Sequence, residues 1–480
     1  MDNTDVSNMD STQEPNKGVD ENETDTKSEL NLTKYVDGKL VKLNKAEMIE
    51  ATSNFLLKEY KFITFRDNKD CFYYDEQEGI YKCADPFIEE RVLDYLDEDA
   101  NINMINEIAN KIKIRRYIDR DLVETDKKYI CLENGVFNID TNEFIDHTPD
   151  LIFFSKIPVK YDPIATCPEI DAFFNSLFFD NGGIIKIVEE LFGYCLLRSY
   201  PLHKAIMLYG SGGTGKTTFM SLLRKFLGES NTCSVSLQDI VYNRFAAHQL
   251  HGKLANIFDD LSDIKLRFVG PFQMATGQSK IRADRKHRSA IEFYNHSKLI
   301  FSCNTLPDVQ TDDPFAFFRR WIIINFKNNL IRDGNAVPDK ISELIAPEEL
   351  SGLLNKALAG LKRLLDNQEF TYSEDVEDVK NYWMREANNV ERFVQEMCIV
   401  DAQPDSKVDK DDLFADYVDF CNDNDCVPKA KNIFGNELKR LLGSKIRTGR
   451  ASTDARKRIW VGIRLNIEGE IKKGPMDEFT

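Results

Sequence analysis

KAIMLYGSGGTGKTTFMSLLRKFL, residues 204–227, decides how the rest of the chain is read. Ala205–Tyr209 is an apolar run of strand length. GSGGTGKT, Gly210 to Thr217, satisfies G-x-x-x-x-G-K-[ST], and Thr218–Leu227 has the apolar spacing of a helix. Strand, glycine-rich loop and helix in that order are what a polyphosphate cradle requires. Glycines let the backbone wrap closely, so that N–H groups along Gly210, Ser211, Gly212, Gly213, Thr214, Gly215, Lys216, Thr217 and Thr218 can face the phosphates. The new helix adds its positive N-terminal end. Lys216 would reach the β- and γ-phosphates and the Thr217 hydroxyl would ligate Mg²⁺. ATP and Mg²⁺ are therefore the expected cofactors.

Outward from this loop, three more apolar runs end in polar chemistry. LANIFDD (254–260) places Asp259 and Asp260 after a strand. Asp259 would hold Mg²⁺ through water, and Asp260 would orient and polarise the attacking water. KLIFSCNTLP (298–307) places Asn304 where an amide could touch water and γ-phosphate. FFRRWIIINF (317–326) sets Arg319 and Arg320 just before a strand, where one guanidinium could enter a neighbouring subunit's site. Apolar runs separated by helical patterns predict a buried, mainly parallel sheet. Between the second and third runs lies KIRADRKHR (280–288), a hairpin pattern with Lys286 and His287 at its basic tip. A solvated charge run is the ordinary reading of such a stretch. Confined to one turn of an acidic chain, it points instead to phosphate contact.

The chain has 480 residues, too many for one compact domain, and 63 Lys+Arg against 80 Asp+Glu leave a net charge of −17. That balance excludes a wholly basic chromatin-type protein but leaves local basic patches open. No apolar run approaches the ~20 residues of a membrane-spanning helix, and no secretory signal is visible, so a cytoplasmic setting is expected. The ten cysteines show no CxxC or zinc spacing. Residues 1–30 hold nine acids against two lysines and almost no apolar residues, which predicts a disordered tail. A mixed α+β domain is expected over 31–200, the P-loop core over 201–335, a helical connection over 336–390 and a small basic unit over 391–470. From Lys429 to Arg464 that last unit has eleven Lys/Arg against two acids.

The four motifs, in this order and spacing, resemble the helicase domain of superfamily III, the AAA+ ring helicases of viruses, phages and plasmids. The branch they look most like is the phage and plasmid one related to the poxvirus primase-helicase. ICLENGVFNIDTNEFIDHTP (130–149) and EELFGYCLLRSYPLHKAIMLYG (189–210) look like the region that precedes the motor in that branch. ERFVQEMCIV (391–400) and RKRIWVGIRL (456–465) look like parts of its C-terminal winged-helix domain. The implied fold class is α/β: an AAA+ P-loop motor, a mixed and largely helical N-terminal domain, and a winged helix. The implied protein is a homohexamer that hydrolyses ATP at subunit interfaces and translocates on single-stranded DNA, in the host cytoplasm. Lys216, Thr217, Asp259, Asp260 and Asn304 would come from one subunit, and Arg319 or Arg320 from the next. Lys286 and His287 would track DNA. Lys439, Arg440, Arg450, Arg456 and Lys457 would contact duplex phosphates from the third helix and the wing. Asp260 departs from the Glu common in P-loop ATPases, which shortens its reach by one methylene. A separate primase or polymerase is an expected partner, since no room for a primase is seen between tail and motor. The competing reading is an ATP-switched replication initiator or loader that does not unwind processively.

Overall fold

The computed structural model describes residues 30–466 apart from 120–126, 180, 263, 286–287, 333, 335–338, 372–373, 388, 402–405, 425, 427 and 451–456. The expectations for the acidic tail, for Lys286 and His287 and for Arg456 thus lie outside the described residues. The chain forms two compact units, one of Met1–Tyr73 with Cys83–Ile118, the other of Tyr74–Lys82 with Asp119–Thr480.

The first unit buries helices Lys45–Glu59, Ala84–Leu96 and Ile102–Arg115 around strand Phe62–Phe65. The three- and four-residue spacing of Ile88, Val92 and Leu96, and of Met104, Ile108 and Ile112, places each set on one helix face, and all six are buried. Asn44 starts the first helix with a reciprocal capping box to Glu47. Tyr73 stacks on Phe87 at 3.8 Å.

The second unit is built on a five-stranded parallel sheet. Its strands are β1 (Ala205–Tyr209), β2 (Thr232–Cys233), β3 (Ala255–Phe258), β4 (Lys298–Cys303) and β5 (Trp321–Asn325), in the order β2-β3-β4-β1-β5. β1, β3, β4 and β5 are the apolar runs read from the sequence, nearly all buried because helices cover both faces. β2 was not anticipated; two residues carry no pattern. Helix α1 (Lys216–Leu227) follows the glycine loop. Helices Pro168–Phe178, Gly182–Leu196 and Pro347–Asn367 share its core, where Phe192 meets Phe174, Phe219 and Phe226 at 6.0, 5.8 and 5.3 Å. Two of these helices touch backbone to backbone. A Cβ on Gly193 would lie 2.2 Å from the Ala357 carbonyl oxygen, and one on Gly360 would lie 2.6 Å from the Glu189 carbonyl carbon. The segment expected as one domain over 31–200 is therefore divided. Its part beyond Asp119 belongs to the P-loop unit, because its aromatic faces complete that core.

Lys280–Arg285 and Arg288–Tyr294 form the anticipated antiparallel hairpin. The helical connection resolves into Lys340–Leu344, Pro347–Asn367 and Val376–Ala387. Beyond it, helix Asn389–Met397 leads into strands Cys398–Val400 and β6 (Lys407–Asp409), helices α2 (Lys410–Asp423) and α3 (Lys431–Leu442), then β7 (Arg447–Arg450), β8 (Arg458–Val461) and strand Ile463–Leu465. β6, β8 and β7 make an antiparallel sheet in that order. Phe393, Tyr417 and Phe434 fill its core, the last two stacked at 4.5 Å. The apolar run within RKRIWVGIRL is broken into two strands at Gly462, whose φ of +96° suits glycine and where a Cβ would meet the Lys445 carbonyl oxygen at 2.2 Å. β7 begins only at Arg447, since Gly443–Lys445 continues the helix as a 3-10 turn. The short strands at 398–400 and 407–409 were not anticipated. No helix among the described residues is long and apolar enough to cross a membrane.

A candidate phosphate-binding cleft

Parallel strands bring their C-terminal ends to one edge. Register pairs Tyr209 of β1 with Cys303 of β4, and Phe258 of β3 with Phe301 of β4. The loops that follow, bearing Gly210–Thr217, Asp259–Asp260 and Asn304, therefore open on the same edge, where open α/β sheets hold ligands. A cleft of about 630 Å³ lies there, lined by Gly212–Thr218, Asp260, Ser302 and Asn304.

The loop is shaped by its glycines and held by a lysine. Gly215 has φ +86°, and a Cβ there would fall 2.5 Å from Leu177 Cδ2, so both conformation and space demand glycine. Lys216 is only 6% exposed. Its Nζ donates to the carbonyls of Gly210 (2.6 Å) and Ser211 (2.7 Å) and to Asn304 Oδ1 (3.0 Å). Burial pushes its ammonium below the ordinary lysine range, opposed by the neighbouring Cys303 and Asp260. A cation stripped of water and tethered to loop carbonyls is poised to exchange those partners for phosphate oxygens. Asn304 is brought to the same ammonium, as its sequence position suggested.

The two aspartates are separated by a turn of the backbone. Asp260 has φ +50°, and its N–H donates to Ser302 Oγ at 3.3 Å, while the N–H of Leu261 donates to the Ser302 carbonyl at 2.7 Å. This left-handed turn puts Asp260 on the cleft wall. Asp259 instead accepts from Arg224 Nη2 of α1 at 2.7 Å, and the same nitrogen donates to the Ile257 carbonyl at 3.0 Å. Ser302 and Arg224 were missed from the sequence: each lies within a quoted stretch, but its role comes only through tertiary contact. Also missed were Phe173 and Ser176 of helix Pro168–Phe178, which line the cleft, and Asn329, whose Nδ2 donates to the Gly212 carbonyl at 3.0 Å.

The arginines lie elsewhere. Trp321 pairs with Ala205 at the start of β1, so Arg319 and Arg320 occupy the N-terminal edge of the sheet. One strand of five residues separates them from the loop, roughly 16 Å at ~3.3 Å per residue. Arg320 is 8% exposed; its Nε donates to Thr276 Oγ1 at 3.0 Å and its Nη1 to the Ala316 carbonyl. Arg319 is exposed. Lys439, Arg440, Arg450 and Lys457 are exposed on the C-terminal elements.

Residues 42–179 match the family described as "D5 N terminal like", and residues 208–320 match a "Family of unknown function (DUF5906)". The likeness is to D5-like helicases of superfamily III. A protein of Acanthamoeba polyphaga mimivirus whose name reads "Putative helicase" is 26% identical over 218 residues, 43% of this chain. The chain spans about a fifth of that relative's length, 22%. The apo structure of the C-terminal region (305–718) of NrS-1 matches at TM-score 0.50 with 15% identity, over 83% of this chain and 86% of that one. That match concerns fold alone. The D5-like match ends at Phe179, with the helix whose Phe173 and Ser176 line the cleft.

Proposed function

We propose that this protein is an ATP-driven DNA helicase that works as a ring, with each ATP site completed by the next subunit. The observation that carries this reading is the separation of Arg319 from the phosphate loop by the length of the sheet. An exposed arginine on that edge is out of reach of its own chain's γ-phosphate and available to a neighbour's. A closed, heterologous ring is the assembly that would satisfy every site. A hexamer is the ring size that the D5-like resemblance favours.

Within one subunit, Lys216 and the loop N–H groups would bind the β- and γ-phosphates. Asp260 would orient water from the opposite wall, and Asn304 would follow the γ-phosphate through its bond to Lys216. Among the described residues no cluster of three or more His, Cys, Asp or Glu could cage a metal. The Thr217 hydroxyl and the Asp260 carboxylate on the cleft wall suit Mg²⁺, which keeps its waters and takes one or two protein oxygens beside phosphate. Thr217 and Asp260, which line the cleft, would hold it, Asp259 joining only by giving up Arg224, and it would supply charge neutralisation at the transferring phosphoryl group. Asp260→Asn is expected to cut turnover by roughly 10²-fold with an unchanged melting temperature. Asp259→Asn should lower the melting temperature as well, since it removes the negative charge paired with Arg224. Equal melting shifts in the two variants would contradict this division of roles.

DNA would run past the hairpin tip at Lys286 and His287, and the basic C-terminal unit, read as a winged helix, would grip duplex. Three helices, with β6 between the first and the second and with β7 and β8 after the third, all three strands in one antiparallel sheet, support that reading. Replacing Lys286 and His287 with alanine should leave basal ATPase intact and abolish strand displacement on a forked duplex. Loss of both activities together would assign the hairpin a structural role. The alternative, an initiator or loader, predicts ATP-dependent duplex binding with no strand displacement even in the unmodified protein. Running the displacement assay beside a binding assay without ATP therefore tests the function as a whole.

A further inference from the structure

The C-terminal unit contains a cationic cluster that the sequence singled out only in part, through Lys439 and Arg450. β8 lies between β6 and β7, and the register pairs Asp409 with Ile459, Ile459 with Gly449, and Arg458 with Arg450. Lys410, which follows Asp409, thus stands at the same end of the sheet as the opposed arginines. Trp460 is 3% exposed on β8 and shares a face with Arg458. Lys410 Nζ sits 3.9 Å from its ring centroid, and Lys439 Nζ of α3 sits 5.9 Å away. Lysines from α2 and α3 therefore meet over one buried indole, at the end of the sheet where register opposes Arg450 of β7 and Arg458 of β8.

Their surroundings do not neutralise them. Lys410, Lys439, Arg450 and Arg458 make no side-chain hydrogen bond or ion pair with any described residue, whereas nearby Lys431 pairs with Asp411. Burial pushes the Lys410 ammonium down, and the charges of Lys439 and Arg458 push it further. Like charges directly opposite on antiparallel strands are destabilising. A fold that keeps such a pair beside two more cations has built a site for an anion. Trp460 is too buried to stack on a base, so its ring braces the lysines and reads no sequence.

We propose that Lys410, Lys439, Arg450 and Arg458 form one seat for backbone phosphates of duplex nucleic acid. This rests on the reading of the C-terminal unit as a DNA grip and extends it to Lys410 and Arg458, which that reading did not include. Binding at this seat is independent of base sequence.

The test measures binding of the full-length protein to a short blunt duplex without ATP, across a salt series. The double variant Lys410→Ala/Arg458→Ala should bind at least tenfold more weakly at low salt. Its slope of log affinity against log salt should be shallower by about two, at roughly 0.9 for each phosphate no longer neutralised. Lys431→Ala should keep the full slope. Lys410→Glu guards against misfolding as an explanation: facing Lys439 and Arg458, it should raise the melting temperature while weakening duplex binding. If the unmodified protein binds duplex and the double variant binds with the same slope, the seat is wrong although the unit still grips DNA. If the unmodified protein shows no salt-sensitive duplex binding, the underlying reading fails. Polyglutamate bound by the unmodified protein and released by the double variant would, in that case, identify an acidic protein as the occupant and overturn the proposal.

Discussion

Lys216→Ala is expected to reduce ATP turnover by about 10²–10³-fold or more, the cost of removing a preorganised charge from phosphoryl transfer. The fold should survive. The variant forgoes the ammonium bonds to Gly210, Ser211 and Asn304, which at about 1 kcal/mol each would destabilise the loop. Removing a cation held at a desolvated position offsets part of that loss, since burial already disfavours its charged form. A drop in melting temperature of no more than about 5 °C is the expected balance. Turnover near that of the unmodified protein, with an unchanged melting profile, would remove the motor reading altogether. A large melting shift would instead mean that Lys216 acts chiefly as a strut for the loop.

Arg319→Ala and Arg320→Ala should fail in different ways. The first should lose about 10³-fold or more in turnover while melting normally, because an arginine finger acts only on the transferring phosphoryl group. The second should unfold at lower temperature by about 2–3 kcal/mol of stability, since Arg320 is buried and bonded to Thr276 and Ala316 within its own chain. Mixing supplies the sharper measurement. Lys216→Ala subunits keep Arg319, and Arg319→Ala subunits keep an intact loop, so hybrid interfaces should restore part of the ATPase. Absence of recovery at every mixing ratio, or a monomeric mass with ATP present, would sink catalysis across the interface.

The main architecture was legible from local pattern. Four continuous apolar runs separated by helical spacing predicted a parallel sheet, and the strand–glycine loop–helix order located its phosphate end. These features are local: 3.6-residue spacing makes a helix and an unbroken apolar run makes a strand buried on both faces. The two-residue β2 and the three-residue strands of the C-terminal unit escaped because so few residues carry no period. The division near Asp119 escaped for another reason, that Phe174 and Phe192 declare an apolar face without saying which core it completes.

By itself, the sequence determined the P-loop, the polar residues that end the neighbouring apolar strands, the hairpin and the basic character of the C-terminal unit, since each is written in consecutive residues. Tertiary structure alone separated residues that are neighbours in sequence and chemically alike. Asp260 reaches the cleft and Asp259 pairs with Arg224 because a left-handed turn tied to Ser302 rotates one carboxylate away from the other. Arg320 is enclosed and Arg319 exposed because the chain passes there from a short helix into β5. Lys410 and Arg458 meet although 48 positions apart, because strand register brings β6 beside β8. Side-chain direction and burial depend on partners remote in the chain, and no local period encodes them.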